Sequence, residues 1–113
     1  MHRIRVEIES TLPVVVAEGE VDAFAASDLE AALEEAGRLG NVVIDLRRVS
    51  FMDSTALGLV ARAVRMRGEA GRLVRVVLPR GSARRIFEIT ALDGALPVTP
   101  SREDGLAELA EKT

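Results

Sequence analysis

The stretch Val43-Ile-Asp-Leu-Arg-Arg-Val-Ser-Phe-Met-Asp-Ser-Thr-Ala-Leu-Gly-Leu-Val60 reads as a buried strand, a short loop and a helix that opens on Ser54 and Thr55. The run Val42 to Leu46 is too short for a helix and rich in β-branched side chains, which predicts a central strand with Asp45 inside it, ending at Arg47-Arg48. Beyond it, Leu57, Val60, Ala61 and Val64 recur at i, i+3, i+4 and i+7 and predict a helix from Ser54 to about Arg67 with that stripe on the sheet. Thr55, Leu59, Arg62 and Met66 then fall on the opposite face, where two apolar side chains stand on a side expected to be solvated. Asp53, Ser54 and Thr55 are all residues whose short oxygens accept the orphan N–H groups of a first turn, and Asp53 opposes the positive end of the helix dipole. Read alone, the cluster fits a helix cap; it also stands two hydroxyls where a helix exposes free backbone donors.

Outward from that corner, the chain alternates strands and helices. Ile4, Val6 and Ile8 alternate with charged residues, the period of a strand wet on one face, and Pro13 to Ala17 make a second strand. Only Ser10-Thr11 separates the two patterns closely enough to turn the chain, so the pair is expected as an antiparallel hairpin. Ser27-x-x-Glu30 has the form of a capping box ahead of Leu29, Ala32, Leu33 and Ala36, a helix expected to run to about Arg38 and close at Gly40. A buried strand is expected at Leu73 to Leu78, a short helix capped by Ser82, and an edge strand at Leu96 to Val98. Ser101-x-x-Asp104 opens a last helix carrying Leu106, Leu109 and Ala110, and Glu111-Lys112-Thr113 is expected to fray. The order predicts an α/β layer fold in one domain over 1–113: a small mixed sheet, its central strands parallel through right-handed crossovers, with about four helices packed mainly on one side.

Composition narrows the function. With 113 residues, 48% apolar and 29% charged, the chain is long enough to bury a sizeable core. A formal charge of −3 with both signs interspersed offers no field for nucleic acid or an anionic membrane. Three phenylalanines are the whole aromatic complement, too few for base stacking. No cysteine and a single histidine, His2, argue against thiol or histidine catalysis and against zinc, so neither metal nor cofactor is expected. No apolar run approaches a membrane span and the first residues lack a signal-peptide core, which points to a cytoplasmic protein. Gly81-Ser-Ala-Arg-Arg lacks the spacing and lysine of a phosphate loop.

Phe51-Met-Asp-Ser-Thr-Ala-Leu-Gly58 resembles the signature of the STAS domain, specifically the bacterial anti-sigma factor antagonists. Gly19-Glu20-Val21-Asp22 with Ala26 and Leu29, and Arg85-Ile-Phe-Glu-Ile-Thr-Ala-Leu92, are similar to two further blocks of that family, in the same order. The resemblance implies a protein that captures an anti-sigma factor serine kinase, so releasing a sigma factor, and that the kinase inactivates by phosphorylation; a phosphatase reverses it. Carried onto this sequence, Ser54 is the acceptor with Thr55 as the minor alternative, Asp53 is the motif aspartate and Asp22 a second acidic residue at the same end of the sheet. Helix geometry leaves two readings of Leu59, Arg62 and Met66: a neighbouring helix covers the apolar pair or they are scattered surface apolars, or the three extend that corner into a docking stripe. Ala56 stands where the family has glycine; alanine is the better helix former by up to about 1 kcal/mol, so the departure bears on the approach of a partner rather than on the fold.

Two other classes compete for the same residues. A serine or aspartate nucleophile needs an adjacent base or a magnesium held by converging carboxylates, and Asp45, inside its strand, reads as scaffold, so the chain is not expected to be an enzyme. The other alternative is a STAS subunit of a transporter, lipid-trafficking or stress-sensing assembly that is not phosphorylated; the intact Asp53-Ser54-Thr55 favours the switch.

Overall fold

The computed structural model describes residues 1–111, Asp93 by its backbone alone; of the three residues expected to fray, Glu111 is still helical, and Lys112 and Thr113 lie outside the described residues. The elements are β1 His2–Glu9, β2 Leu12–Val21, α1 Ala26–Leu39, β3 Val42–Met52, α2 Ser54–Glu69, β4 Val74–Val77, α3 Arg85–Ile89 and α4 Arg102–Glu111. They build a four-stranded sheet in the order β1-β2-β3-β4, with β1 antiparallel to β2 and the other neighbours parallel.

The hairpin forms as expected, with Glu9 paired to Leu12 across Ser10 and Thr11. Both turn residues sit at positive φ, 52° and 67°, the two-residue geometry whose twist matches that of the strands. Neither is glycine or asparagine, so each carries a left-handed penalty of about 1 kcal/mol that the strand pairing must offset.

From β2 the chain steps across the sheet in one direction, through α1 to β3 and through α2 to β4. Right-handed crossovers taken in a constant direction leave both helices on the same face. There Val15, Ala17, Ile44, Leu46 and Val76 from the strands meet Leu29, Leu33, Leu57 and Val60 from the helices, with Phe87 of α3 fully buried among them. The alternate residues Leu12, Val14, Val16, Val43 and Val77 face the other way and would be left wet without α4, which brings Leu106 and Leu109 onto them. Gly105 lets that helix approach closely, because a side chain there would stand 3.1 Å from the methyl of Thr99 and 3.4 Å from Val43. Glu108 secures the contact, accepting from Arg75 Nε at 2.7 Å and from the buried Thr99 hydroxyl at 2.9 Å. Three of the four helices therefore share one face, as the sequence pattern implied.

Several boundaries depart from expectation for local reasons. β3 does not stop at Arg47-Arg48 but runs on to Met52, because the far half of β2, Glu18 to Val21, pairs with it beyond a register irregularity. The capping box at Ser27 is not used: the chain is already helical by the 3-10 turn Ala23–Ala25, and Asp22 caps it by accepting from Phe24 N at 3.0 Å. Ser82 likewise lies inside a 3-10 turn, Gly81–Arg84, that begins one residue earlier and has no side-chain cap. The edge strand at Leu96 to Val98 shrinks to one parallel bridge, Val98 to Val76, since Pro97 and Pro100 remove the donors on either side. Ser101 does cap α4, its Oγ accepting from Asp104 N at 3.0 Å.

Candidate functional site

The corner where β2 and β3 end is tied together by backbone. Val21 pairs with Met52, and the next residue of β3's exit, Asp53, donates its N–H to Val21 O at 3.3 Å, so Asp22 and Asp53 leave adjacent strands side by side. Asp53 is the N-cap of α2, in extended conformation, and its Oδ1 accepts from Ala56 N at 3.0 Å. That bond resolves the sequence ambiguity: Asp53 does the capping, and Ser54 and Thr55 are exposed on the first turn. Their hydroxyls make no hydrogen bond among the described residues. By helix geometry the amides of Ser54 and Thr55 have no intrahelical acceptor, so an anion on Ser54 Oγ would find donors beside it.

Ala56 is fully buried among Leu57, Val60 and the strand residues. Its methyl, which the sequence left as an obstacle to a partner, points into the core instead, so the alanine fills apolar space and leaves the surface at Ser54 unchanged.

The covered face of α2 differs from the expected stripe. Ala56, Leu57 and Val60 are buried, whereas Ala61 and Val64 are only partly so, and Leu59 and Ala63 also pack against the main core. The buried sector is turned toward α1, because α2 packs against that neighbouring helix as well as against the sheet. Leu59, Arg62 and Met66 therefore do not form a solvated back; they line one side of a shallow groove of about 80 Å³, opposite Glu30, Leu33 and Glu34 of α1. Met66 remains 43% exposed at its rim. Arg67 closes the far end by donating to Gly37 O at 3.0 Å, an approach a side chain at Gly37 would block at 2.5 Å.

Two residues of the corner escaped the sequence reading. Phe24, on the turn capped by Asp22, is 90% exposed, and Phe51, paired with Glu20 beside the motif, is 49% exposed. The sequence holds only their proximity to the motif aspartates, Phe24 two residues after Asp22 and Phe51 two before Asp53; their exposure is decided by the fold. Asp45 lies elsewhere: it is buried on the α4 face, holding Arg47 through two bonds of 3.1 Å, so the aspartates of the sequence do not converge. Among the described residues no His, Cys, Asp or Glu group is placed to hold a metal, and no helix is long and apolar enough to cross a membrane.

The chain matches the STAS domain over residues 3–105. It is 37% identical over 83 residues to the anti-sigma-B factor antagonist of Listeria monocytogenes, covering 71% of this chain and 72% of that one. Among solved structures it is similar to an anti-sigma factor antagonist from Mycobacterium paratuberculosis, with 31% identity, a TM-score of 0.85, and coverage of 97% and 95% of the two chains. It also shares the fold of the Bacillus cell fate determinant SpoIIAA, solved in the phosphorylated form, at 21% identity, a TM-score of 0.69 and coverage of 94% and 98%. A four-stranded mixed sheet, the Asp53-capped helix opening on Ser54 and these likenesses lead to one assignment: the chain belongs to the STAS-domain family, among the anti-sigma factor antagonists.

Proposed function

We propose that this protein is a cytoplasmic partner switch, not an enzyme, that binds an anti-sigma factor serine kinase, frees a sigma factor, and is inactivated when that kinase phosphorylates Ser54. A phosphatase restores it. The observation that carries the reading is the division of labour at α2: Asp53 caps the helix, which leaves the Ser54 hydroxyl exposed beside unused amides. A phosphate there adds about −1.5 to −2 charges, gains those N–H donors and is opposed by Asp53 and Asp22. The modification acts by charge and bulk in a surface that the partner must desolvate, with no refolding required. The binding surface comprises Asp22, Asp53, Ser54 and Thr55, extended along α2 by Leu59, Arg62 and Met66. The shared fold of a protein known in a phosphorylated form supports the reading.

Incubation with the cognate kinase and ATP, followed by intact-mass and peptide mapping, tests it: one phosphate on Ser54, none on Ser54→Ala, and kinase binding retained by Ser54→Ala but weakened in Ser54→Asp. Phosphate on Thr55 moves the acceptor by one residue; phosphate elsewhere overturns the assignment. For the docking stripe, Arg62→Glu is the informative variant, because Arg62 is exposed whereas Leu59 also supports the core.

A further inference from the structure

A second site lies at the carboxyl end of β4, with neither Ser54 nor any other residue of that corner in its lining. Here a cleft of about 410 Å³ is lined by three cations, Arg47, Arg80 and Arg84, together with the uncharged residues Val77, Leu78, Val98, Thr99 and Pro100. Arg80 follows Leu78 and Pro79 after the end of β4, and Gly81, at φ 65°, turns the chain into the 3-10 turn that returns Arg84 to the same cleft. This is the Gly-Ser-Ala-Arg-Arg segment that has no phosphate-loop spacing; its side chains, not its backbone, supply the feature. Arg47 comes from β3 and is held in a fixed orientation by the buried Asp45, which neutralises it. Arg80 and Arg84 make no ion pair among the described residues, and no carboxylate lines the cleft. In a chain of net charge −3 this is a local reversal of sign, with two guanidinium groups that no carboxylate among the described residues pairs.

We propose that this cleft binds a phosphate dianion. Guanidinium forks meet phosphate oxygens in bidentate fashion, and two such positive charges match the charge of a phosphate monoester where a single carboxylate would leave one unmatched. The volume is that of a small-ligand site and exceeds a bare phosphate, so the apolar residues of the lining leave room for the organic part of a monoester. Its place at the carboxyl end of a parallel strand is where open α/β sheets take ligands.

The test is an amide-shift titration of isotope-labelled protein with ribose 5-phosphate and, separately, with inorganic phosphate, at matched ionic strength. Saturable shifts confined to Arg80 to Arg84 and Val98 to Thr99 are expected, with Kd raised about tenfold by Arg80→Ala and by Arg84→Ala. Arg38→Ala, an exposed arginine of α1, is expected to leave Kd unchanged. Tighter binding of ribose 5-phosphate assigns the site to phosphorylated small molecules, and equal binding assigns it to free phosphate; both uphold it. Shifts that never saturate and scatter over surface arginines, or a Kd untouched in well-folded Arg80→Ala and Arg84→Ala proteins, overturn it. Because Ser54 takes no part, failure of the phosphorylation assay leaves this result standing, and the reverse.

Discussion

The two faces of the sheet are closed by different physics. The face under α1 and α2 is sealed by one continuous apolar cluster, from Val15 through Phe87. The face under α4 has a small cluster and a chain of charges beside it: Arg5 joins Glu7 at 2.6 Å and Glu18 at 2.5 Å, while Arg102, at the start of α4, joins Glu7 at 2.6 Å and Glu9 at 2.9 Å. Arg102 also stands 3.7 Å from Asp45. Apolar burial carries no charge for salt to screen and does not titrate near neutrality, whereas ion pairs are screened and titrate. The Ser54 corner thus rides on the face whose packing depends least on charge, which suits the proposed acceptance of a phosphate by α2 without movement of the helix. The α4 face is the one that solution conditions reach.

Four measurements break or sharpen that contrast. Phe87→Ala, in the apolar face, should lower unfolding free energy by about 3–5 kcal/mol, with a loss that is nearly the same at low and high salt. Asp45→Ala should lower it by about 2–3 kcal/mol by leaving Arg47 without its carboxylate, a loss that shrinks as salt rises. Denaturant titrations of both variants at two salt concentrations check the pair, and equal salt responses would remove the distinction.

The third measurement is a pH profile. Arg102 and then Arg5, by hydrogen bonding, hold Glu7 below the ordinary glutamate value of 4.5, and Arg5 does the same for Glu18. A depressed folded value means stability that is fully present above 4.5 and is lost as pH falls through the lowered values of these groups. The wild-type midpoint should therefore fall on acidification below pH 4.5, and Arg102→Ala should flatten part of that fall. Both carboxylates are partly exposed, so the effect is smaller than that of Asp45→Ala. The smallest change is Thr11→Gly at the hairpin turn, which relieves a β-branched residue at φ 67° and should raise stability by up to about 1 kcal/mol, on neither face.

Much of this was legible in the residues because it depends on neighbours a few positions away. The hairpin, the strand at Val42, the opening of α2 at Asp53-Ser54 and the cap at Ser101 each rest on a period or a side chain within one turn. Asp53 could be named from the chain for the same reason, whereas Asp22 was reached only through the resemblance to the family. What the chain left open were competitions between distant partners. Ser27 lost its cap to Asp22 because β2 runs straight into a helical turn, and Leu59 lost its place on the solvated side because α1 lies against α2. The side chain at Ala56 points inward, Asp45 is held by Arg47 and approached by Arg102, and Arg47, Arg80 and Arg84 share one cleft only because the crossover through α2 sets β4 beside β3. Local period sets which residues can share a face; the packing of whole elements decides what that face meets.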